Sequence, residues 1–481
     1  MSGKSTINTA IQKEAEFGVL PVMPGERQFG FWDAMLVLSG YGVATWCYTQ
    51  GGFMASMLNF KQLTVAAFAG NIFALALYML PVVFAVRYGI DMWQWLKAVF
   101  GTKGIRVMIV LIIVINFPWF GVNADIFAST TINLFHIFGV ELSPALHKPL
   151  GLLCVGVGTW LAIVGPIAIK WVNRLVVPAL FAVGVIAVIL AFTAVPMADL
   201  LTYQPDISSY RSPLEPYAAG VEASFAFAFS WCASTAIIPR LCRTESNGYW
   251  ATVVAYGVVT PLFIVAGGAL AIVMFIQTGT MGSDLALELS AVGGAPVALM
   301  TLLMVAFANI GTHGTGAYMW SVVYKSAFPR ASFNLLVLVL GAYTALIVLW
   351  GEIITYFGAM ISVAAYVYGP VMGLLFVDYF VIRKQRLNLR AAYEVDCNRA
   401  YEYTGGYNLI GFVCLAAGVA VGLAVFDPIA YRGRLPIFDY TTSSLLGFAV
   451  AGALYWVLHL VPALANYSIR DNAPGTGSVR V

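Results

Sequence analysis

From residue 31 onward, long continuously apolar runs alternate with short polar stretches almost to the end of the chain. The runs reach about 20 residues or more, the length an α-helix needs to cross about 30 Å of hydrocarbon. They lack the period-two alternation of a membrane barrel, so the pattern predicts a helical bundle. Twelve spans are expected, near 31–58, 63–86, 107–135, 149–169, 175–196, 218–239, 249–277, 295–324, 332–351, 354–382, 407–426 and 441–464. With the N-terminus inside, twenty of the 25 Lys and Arg residues fall in cytoplasmic segments, leaving Lys61, Lys148, Arg211, Arg432 and Arg434 outside. That asymmetry fits the positive-inside rule with both termini cytoplasmic, and a miscounted span would scramble it.

Composition sharpens the class. Of 481 residues, 60% are hydrophobic and 10% charged, too few polar groups to cover a water-facing surface of that size. A soluble enzyme and a single-anchor receptor are excluded. The net charge of +3 offers no basic face for nucleic acid. The cysteines Cys47, Cys154, Cys232, Cys242, Cys397 and Cys414 show no metal-ligand spacing and read as small apolar fillers. The N-terminal stretch is polar where a cleaved signal would need an apolar core. The chain divides into a cytoplasmic segment 1–30, a membrane transporter domain 31–466 and a cytoplasmic tail 467–481.

Spans 1 and 6 share a feature. Thr45-Trp46-Cys47 follows Gly40-Tyr41-Gly42, and Ser230-Trp231-Cys232-Ala233-Ser234-Thr235 precedes Pro239, so a hydroxyl–Trp–Cys triplet lies near mid-depth of each beside residues that tolerate helix breaks, Gly51-Gly52 among them. Inverted-repeat transporters show such a pattern, because unwound backbone is tolerated in a bilayer where it lines a site. Coincidence is the competing explanation, since Gly, Ser and Trp are common in membrane helices.

Two further clusters carry chemistry. In span 3, Trp119 and Asn123 are four apart and share a helix face, which sets a flat aromatic surface beside an amide that donates and accepts. This suits a planar heterocycle, and equally a packing Trp with an interhelical hydrogen-bonding Asn. Asp125 points to roughly the opposite side, as either a coupling-proton carrier or a structural partner. In span 8, Asn309, Thr312 and His313 fall at i, i+3 and i+4. Their oxygens, joined by carbonyls of a broken helix, can hold a small hard cation, whereas an isolated His313 reads as a satisfied polar core residue. No GxSxG, HExxH or P-loop pattern occurs, so no enzyme is expected.

Several stretches resemble one family. These are Gly70-Asn71 with Arg87-Tyr88-Gly89 and Phe100-Gly101-Thr102-Lys103-Gly104; Trp119-Phe120-Gly121-Val122; Gly369-Pro370 through Val377-Asp378-Tyr379-Phe380-Val381-Ile382-Arg383; and Tyr403-Thr404-Gly405-Gly406-Tyr407-Asn408. Together they resemble the nucleobase-cation-symport family, which includes cytosine permease and the bacterial hydantoin transporter. The resemblance implies an all-α integral membrane fold of the LeuT-like type, with repeat one at about 31–196, repeat two at about 218–382 and two additional helices within 407–464. It also implies that Trp119 and Trp231 sandwich a planar ring, with Asn123, Ser230 and Thr45 at its edge and His313 nearby. Gly40 and Ala44 would offer carbonyls to sodium, joined by Asn309 and Thr312. The expected function is cation-coupled uptake of a nucleobase or related planar nitrogen heterocycle across the cytoplasmic membrane. The partners are then that solute, a coupling cation (sodium or a proton) and the lipid bilayer, with no cofactor beyond a sodium ion. An amino-acid or amine permease of the same superfamily is the alternative, and a channel a more distant one.

Overall fold

The computed structural model describes residues 21–78, 80–231, 236–282, 285–328, 331–389, 392 and 401–468. Residues 1–20, 232–235 (with Cys232, Ser234 and Thr235) and 469–481, and Arg390, Cys397 and Arg399 of the basic loop, lie outside the described residues.

Each segment marked out by the hydropathy pattern holds helix. The first segment is split into α1 (Phe31–Gly42) and α2 (Trp46–Ala55), and the second holds α3 (Phe60–Tyr78) and α4 (Leu80–Tyr88). A short amphipathic α5 (Met92–Phe100) follows, capped by the Asp91 side chain accepting from the Gln94 amide. The third segment is α6 (Gly104–Asn116) and α7 (Pro118–Ile137); α8 (His147–Val164) and α9 (Pro166–Thr193) come next. After the short α10 (Met197–Thr202), the second half runs through α11 (Glu215–Ser230), α12 (Glu245–Val254) and α13 (Thr260–Thr278), then α14 (Leu285–Ala327), α15 (Phe333–Trp350) and α16 (Phe357–Phe376). A hairpin of Phe426–Asp427 with Arg432–Gly433 separates α17 (Leu409–Val425) from α18 (Ser443–His459), and α19 (Pro462–Ser468) follows. Among the described residues, seven helical stretches are long and apolar enough to cross a membrane, and four shorter apolar helices accompany them.

Large apolar side chains also face outward, among them Leu175, Val185 and Ile189 of α9 and Leu338, Val339 and Leu346 of α15. Water would penalise such a belt, whereas hydrocarbon accepts it. The chain is a multi-pass, all-α membrane protein.

Two groups of helices can be distinguished. In the first, α2 packs on α13, α11 on α3, and α12 on α1 and α4. In the second, α14 packs on α7, α8 and α15, and α8 on α7 and α15. The α2–α13 contact is backbone to backbone: a Cβ on Gly51 would stand 2.0 Å from the Ile264 carbonyl oxygen, and one on Gly267 would stand 2.4 Å from Tyr48 Cα. Gly51-Gly52 therefore serves close packing inside an intact helix, and the break falls earlier, at Val43 (φ −88, ψ 89). In α14 the helix is interrupted at Gly294, whose φ of 68 suits only glycine.

Polar contacts tie each face together. On the face that carries Arg87, Lys97 and Arg106, here the basic face, Arg87 binds both carboxylate oxygens of Glu245 (2.8 and 3.1 Å), the Tyr379 hydroxyl (3.1 Å) and Gln385 Oε1 (2.9 Å). The segment before α1 is strapped there too, with Val22 N donating to Gly89 O at 2.8 Å and Phe29 N to Leu241 O at 3.1 Å. On the opposite face, Arg211 pairs with Asp439 at 2.5 Å and Tyr203 donates to the Ala55 carbonyl at 3.0 Å. The stretch around 377–383 forms a π-helical turn, Val377–Ile382, in which Arg383 Nε reaches both oxygens of buried Asp378 (3.0 and 2.8 Å). Glu222 of α11 accepts from the Ser444 amide (3.2 Å) and hydroxyl, which fixes the N-terminus of α18 to the first group.

Candidate functional site: an aromatic cavity at the helix breaks

Where α1 gives way to α2 and where α11 ends, a cavity opens between the two groups. It encloses about 320 Å³ of empty space including its mouth, and is lined by Trp46, Asn116, Trp119, Phe120, Ser230, Trp231 and Trp320. The two triplet tryptophans meet here, Trp46 and Trp231 having ring centroids 5.5 Å apart. Trp46 is also 5.5 Å from Trp119, edge to face, so its indole stands between the two rings expected to clamp a solute. Trp231 stacks on Tyr256 at 5.4 Å. Towards the face opposite the basic one the cavity is closed by rings: Phe227 and Phe357 contact Trp119 at 5.4 and 5.6 Å, and Phe53 joins Phe357 to Tyr431. On the basic side Trp320 lies edge to face with Trp93 of α5 at 6.0 Å.

The kink in the third segment positions part of this wall. Pro118 has no amide hydrogen to give the Val114 carbonyl, and the Tyr343 hydroxyl of α15 donates to that carbonyl instead at 2.8 Å. Asn116 thus ends α6 and Trp119 lies in the first turn of α7, both on the cavity.

Of the residues expected at a substrate site, Trp119, Ser230 and Trp231 line the cavity. Asn123 and Thr45 lie behind the wall in a polar knot, where Thr45 Oγ1 is 2.8 Å from Asn309 Oδ1 and 3.3 Å from Asn123 Oδ1. His313 is placed elsewhere: its Nε2 is 3.3 Å from Thr159 Oγ1, and its ring packs behind Phe120 at 5.7 Å. Of the residues expected to hold a cation, Asn309 reaches the span 1 break through Thr45, next to buried Ala44. Thr312 is half-buried on the same helix, and Gly40 lies in the last turn of α1. Asp125 faces α8, 3.9 Å from His147. Cys47, Cys154, Cys242 and Cys414 are free and buried, and no cluster of His, Cys, Asp and Glu suited to a metal occurs among the described residues.

Trp46, Asn116 and Trp320 carried no site assignment in the sequence. The repeat could have supplied Trp46, which answers to Trp231 in the second triplet. Asn116 stands three residues before Trp119, a spacing that puts it on the same stripe.

Several polar atoms around the cavity are buried without a protein partner, namely Trp46 Nε1, Trp119 Nε1, Asn116 Oδ1 and Asn123 Nδ2. Native proteins pair nearly all buried polar groups, so donors and an acceptor concentrated beside flat aromatic faces are suited to a planar polar guest. Among the described residues, the wall carries no charged side chain.

The model of a family described as permeases for cytosine/purines, uracil, thiamine and allantoin matches residues 21–451. A hydantoin permease of Microbacterium maritypicum is 24% identical over 435 residues, covering 86% of this chain and 85% of that protein. The purine-uracil permease NCS1 of Arabidopsis thaliana is 22% identical over 467 residues, covering 91% and 76%. Among solved structures, the inward facing conformation of Mhp1 superposes with a TM-score of 0.77 at 19% identity, covering 93% of this chain and 96% of that one. Mhp1, a nucleobase-cation-symport-1 family transporter, closed with bromovinylhydantoin bound, gives 0.68 at 20% identity, covering 93% and 98%. A Na+-coupled sialic acid symporter gives 0.57 at 14%, covering 93% and 97%. At these identities the structural likeness speaks for the fold.

Proposed function

The chain belongs to the family of permeases for cytosine/purines, uracil, thiamine and allantoin, and from that premise we propose that it is a secondary symporter that takes up a nucleobase or related planar nitrogen heterocycle. It is a transporter rather than an enzyme. The observation that carries the substrate class is the cavity itself, with indoles for walls and unpartnered polar atoms beside them. Trp119 and Trp231 face the ring, with Trp46 as a third wall. Ser230 lies at its edge, and Asn123, Thr45 and His313 act from behind the wall. The absence of charge among the described wall residues counts against an amino acid, whose carboxylate and ammonium both need partners.

The cation, sodium or a proton, is assigned to the junction of spans 1 and 8, with Gly40, Ala44, Asn309 and Thr312 as the sodium ligands. Support comes from the break at Val43 and from the Thr45–Asn309 hydrogen bond that ties it to α14. The same reading holds twelve spans with a five-plus-five inverted repeat and two added helices. Its support is reciprocal packing: span 7 lies on span 1 as span 2 lies on span 6, span 8 on span 4 as span 9 on span 3, and a hydroxyl–Trp pair lies at the start of α2 and at the end of α11. Both termini and the basic face are cytoplasmic in this reading, and the membrane is the cytoplasmic one.

Counterflow in vesicles tests the proposal. Vesicles with the purified protein and preloaded with unlabelled uracil, hypoxanthine, hydantoin or allantoin should accumulate the same labelled compound faster than empty ones, and an inward sodium or proton gradient should raise the rate. Acceleration by amino acids alone would overturn it.

A further inference from the structure

We propose that Asn116, rather than Asn123, reads the edge of the transported ring, and that the edge it selects is a cyclic amide, a ring N–H beside a ring C=O. The inference rests on the reading just given and adds the contact that sets specificity.

Asn123 is fully buried, and its carbonyl oxygen lies in the knot with Thr45 and Asn309, so its unpartnered Nδ2 can donate but no free acceptor remains for a ring N–H. Ser230, though on the wall, donates its hydroxyl to the Phe227 carbonyl at 2.6 Å. Asn116 is different. Only 5% exposed, it lines the cavity beside Trp119 and Trp320, and its Oδ1 has no protein partner. A sealed acceptor without a donor is costly, so the position is explained if a guest supplies the donor.

A primary amide presents one acceptor and a donor side by side, the complement of an adjacent N–H and C=O on a ring. Trp46 Nε1 and Trp119 Nε1, both buried and unpartnered, add donors for a second carbonyl. Together they specify the N–H that lies between two carbonyls, N3 of uracil or hydantoin, or in a ring with one carbonyl the N–H beside it, N1 of hypoxanthine. Because Asn116 lies on the basic side of the indoles, it also holds the ring at the end of the cavity that leads to Trp320 and Trp93.

The test is competition of uptake in vesicles, using uracil against 3-methyluracil, hypoxanthine against 1-methylhypoxanthine and hydantoin against 3-methylhydantoin. For the pair whose parent the wild type takes up, the parent should compete about tenfold or more better than its methylated form, the discrimination expected of one good buried hydrogen bond. Asn116→Ala should bring the two within about threefold while uptake persists, and Asn116→Ser, which keeps a short polar group, should fall between. Asn123→Ala should weaken both members of the pair alike and leave the preference standing. An Asn116→Ala protein that keeps the full preference, or an Asn123→Ala protein that erases it, overturns the assignment of Asn116. Should Asn116→Ala not fold, unchanged preference in Asn116→Ser overturns it. A wild-type protein that takes up none of the parents refutes the functional reading itself.

Discussion

Trp46 shows how much a single residue can carry here. Its indole touches Trp119 and Trp231 at once, so removing it opens the cavity and strips one aromatic wall. Stacking a base on an aromatic side chain is worth about 1–3 kcal/mol, so Trp46→Ala should raise the half-saturating concentration about tenfold, and Trp46→Phe by much less, in an uptake titration. Trp119 and Asn123 were legible from a four-residue spacing, but spacing says nothing of which neighbour occupies an amide. Asn123 shares the helix face and still lies behind the wall, because Thr45 and Asn309 from other helices reach it first. The sequence places His313 one step from Thr312, yet the structure turns its imidazole to Thr159 of α8. Outside the membrane, Lys97 of α5 is pushed down to about 8 by burial, against the opposing pull of Asp91. Between about pH 8 and the unfolded value of 10.5 the unfolded chain binds more protons than the folded one at this site. Lys97 therefore makes stability rise with pH through that window, and Lys97→Met should flatten that part of a melting-temperature profile.

At the scale of elements, the hydropathy pattern located most helices to within a few residues, because continuous apolar runs need no tertiary information to be recognised. It ended span 4 at 169 and began span 5 at 175, however, where the structure parts the two at Gly165. Breaks were harder to place. Gly51-Gly52 suggested one, but in the structure these residues let α2 lie against α13, and the chain leaves helical geometry at Val43 instead. Span 8 was expected from 295, and the structure interrupts its helix one residue earlier, at Gly294, whose positive φ only the structure reveals. The kink at Pro118 offers a clean test. Its missing hydrogen bond leaves the Val114 carbonyl to Tyr343, so Tyr343→Phe should destabilise the protein by about 1 kcal/mol in a thermal melt. In a Pro118→Ala background, where an amide hydrogen is restored to the helix, the same change should cost much less. Equal cost in both backgrounds would mean that the hydroxyl acts elsewhere.

The whole molecule places its aromatic cavity between two helix groups that are each internally well packed, a layout in which one group can rock against the other. The family resemblance read from scattered motifs is membership, and one of those stretches, around 377–383, holds a buried Asp378–Arg383 pair that closes the basic end of α16. If a cation and the solute favour the same arrangement of the groups, each must raise the affinity of the other by an equal factor. Binding titrations of a planar substrate with and without sodium, and of sodium with and without that substrate, should give one coupling factor. No mutual tightening, a coupling factor of unity, would show that the cation and the solute do not favour the same arrangement of the groups. The most direct measurement is an experimental structure of the protein soaked with a transported heterocycle. The ring centroid should lie within about 4.5–7 Å of the Trp119 indole, among Trp46 and Trp231. A ring seated away from all three indoles, with the cavity unchanged, would contradict it.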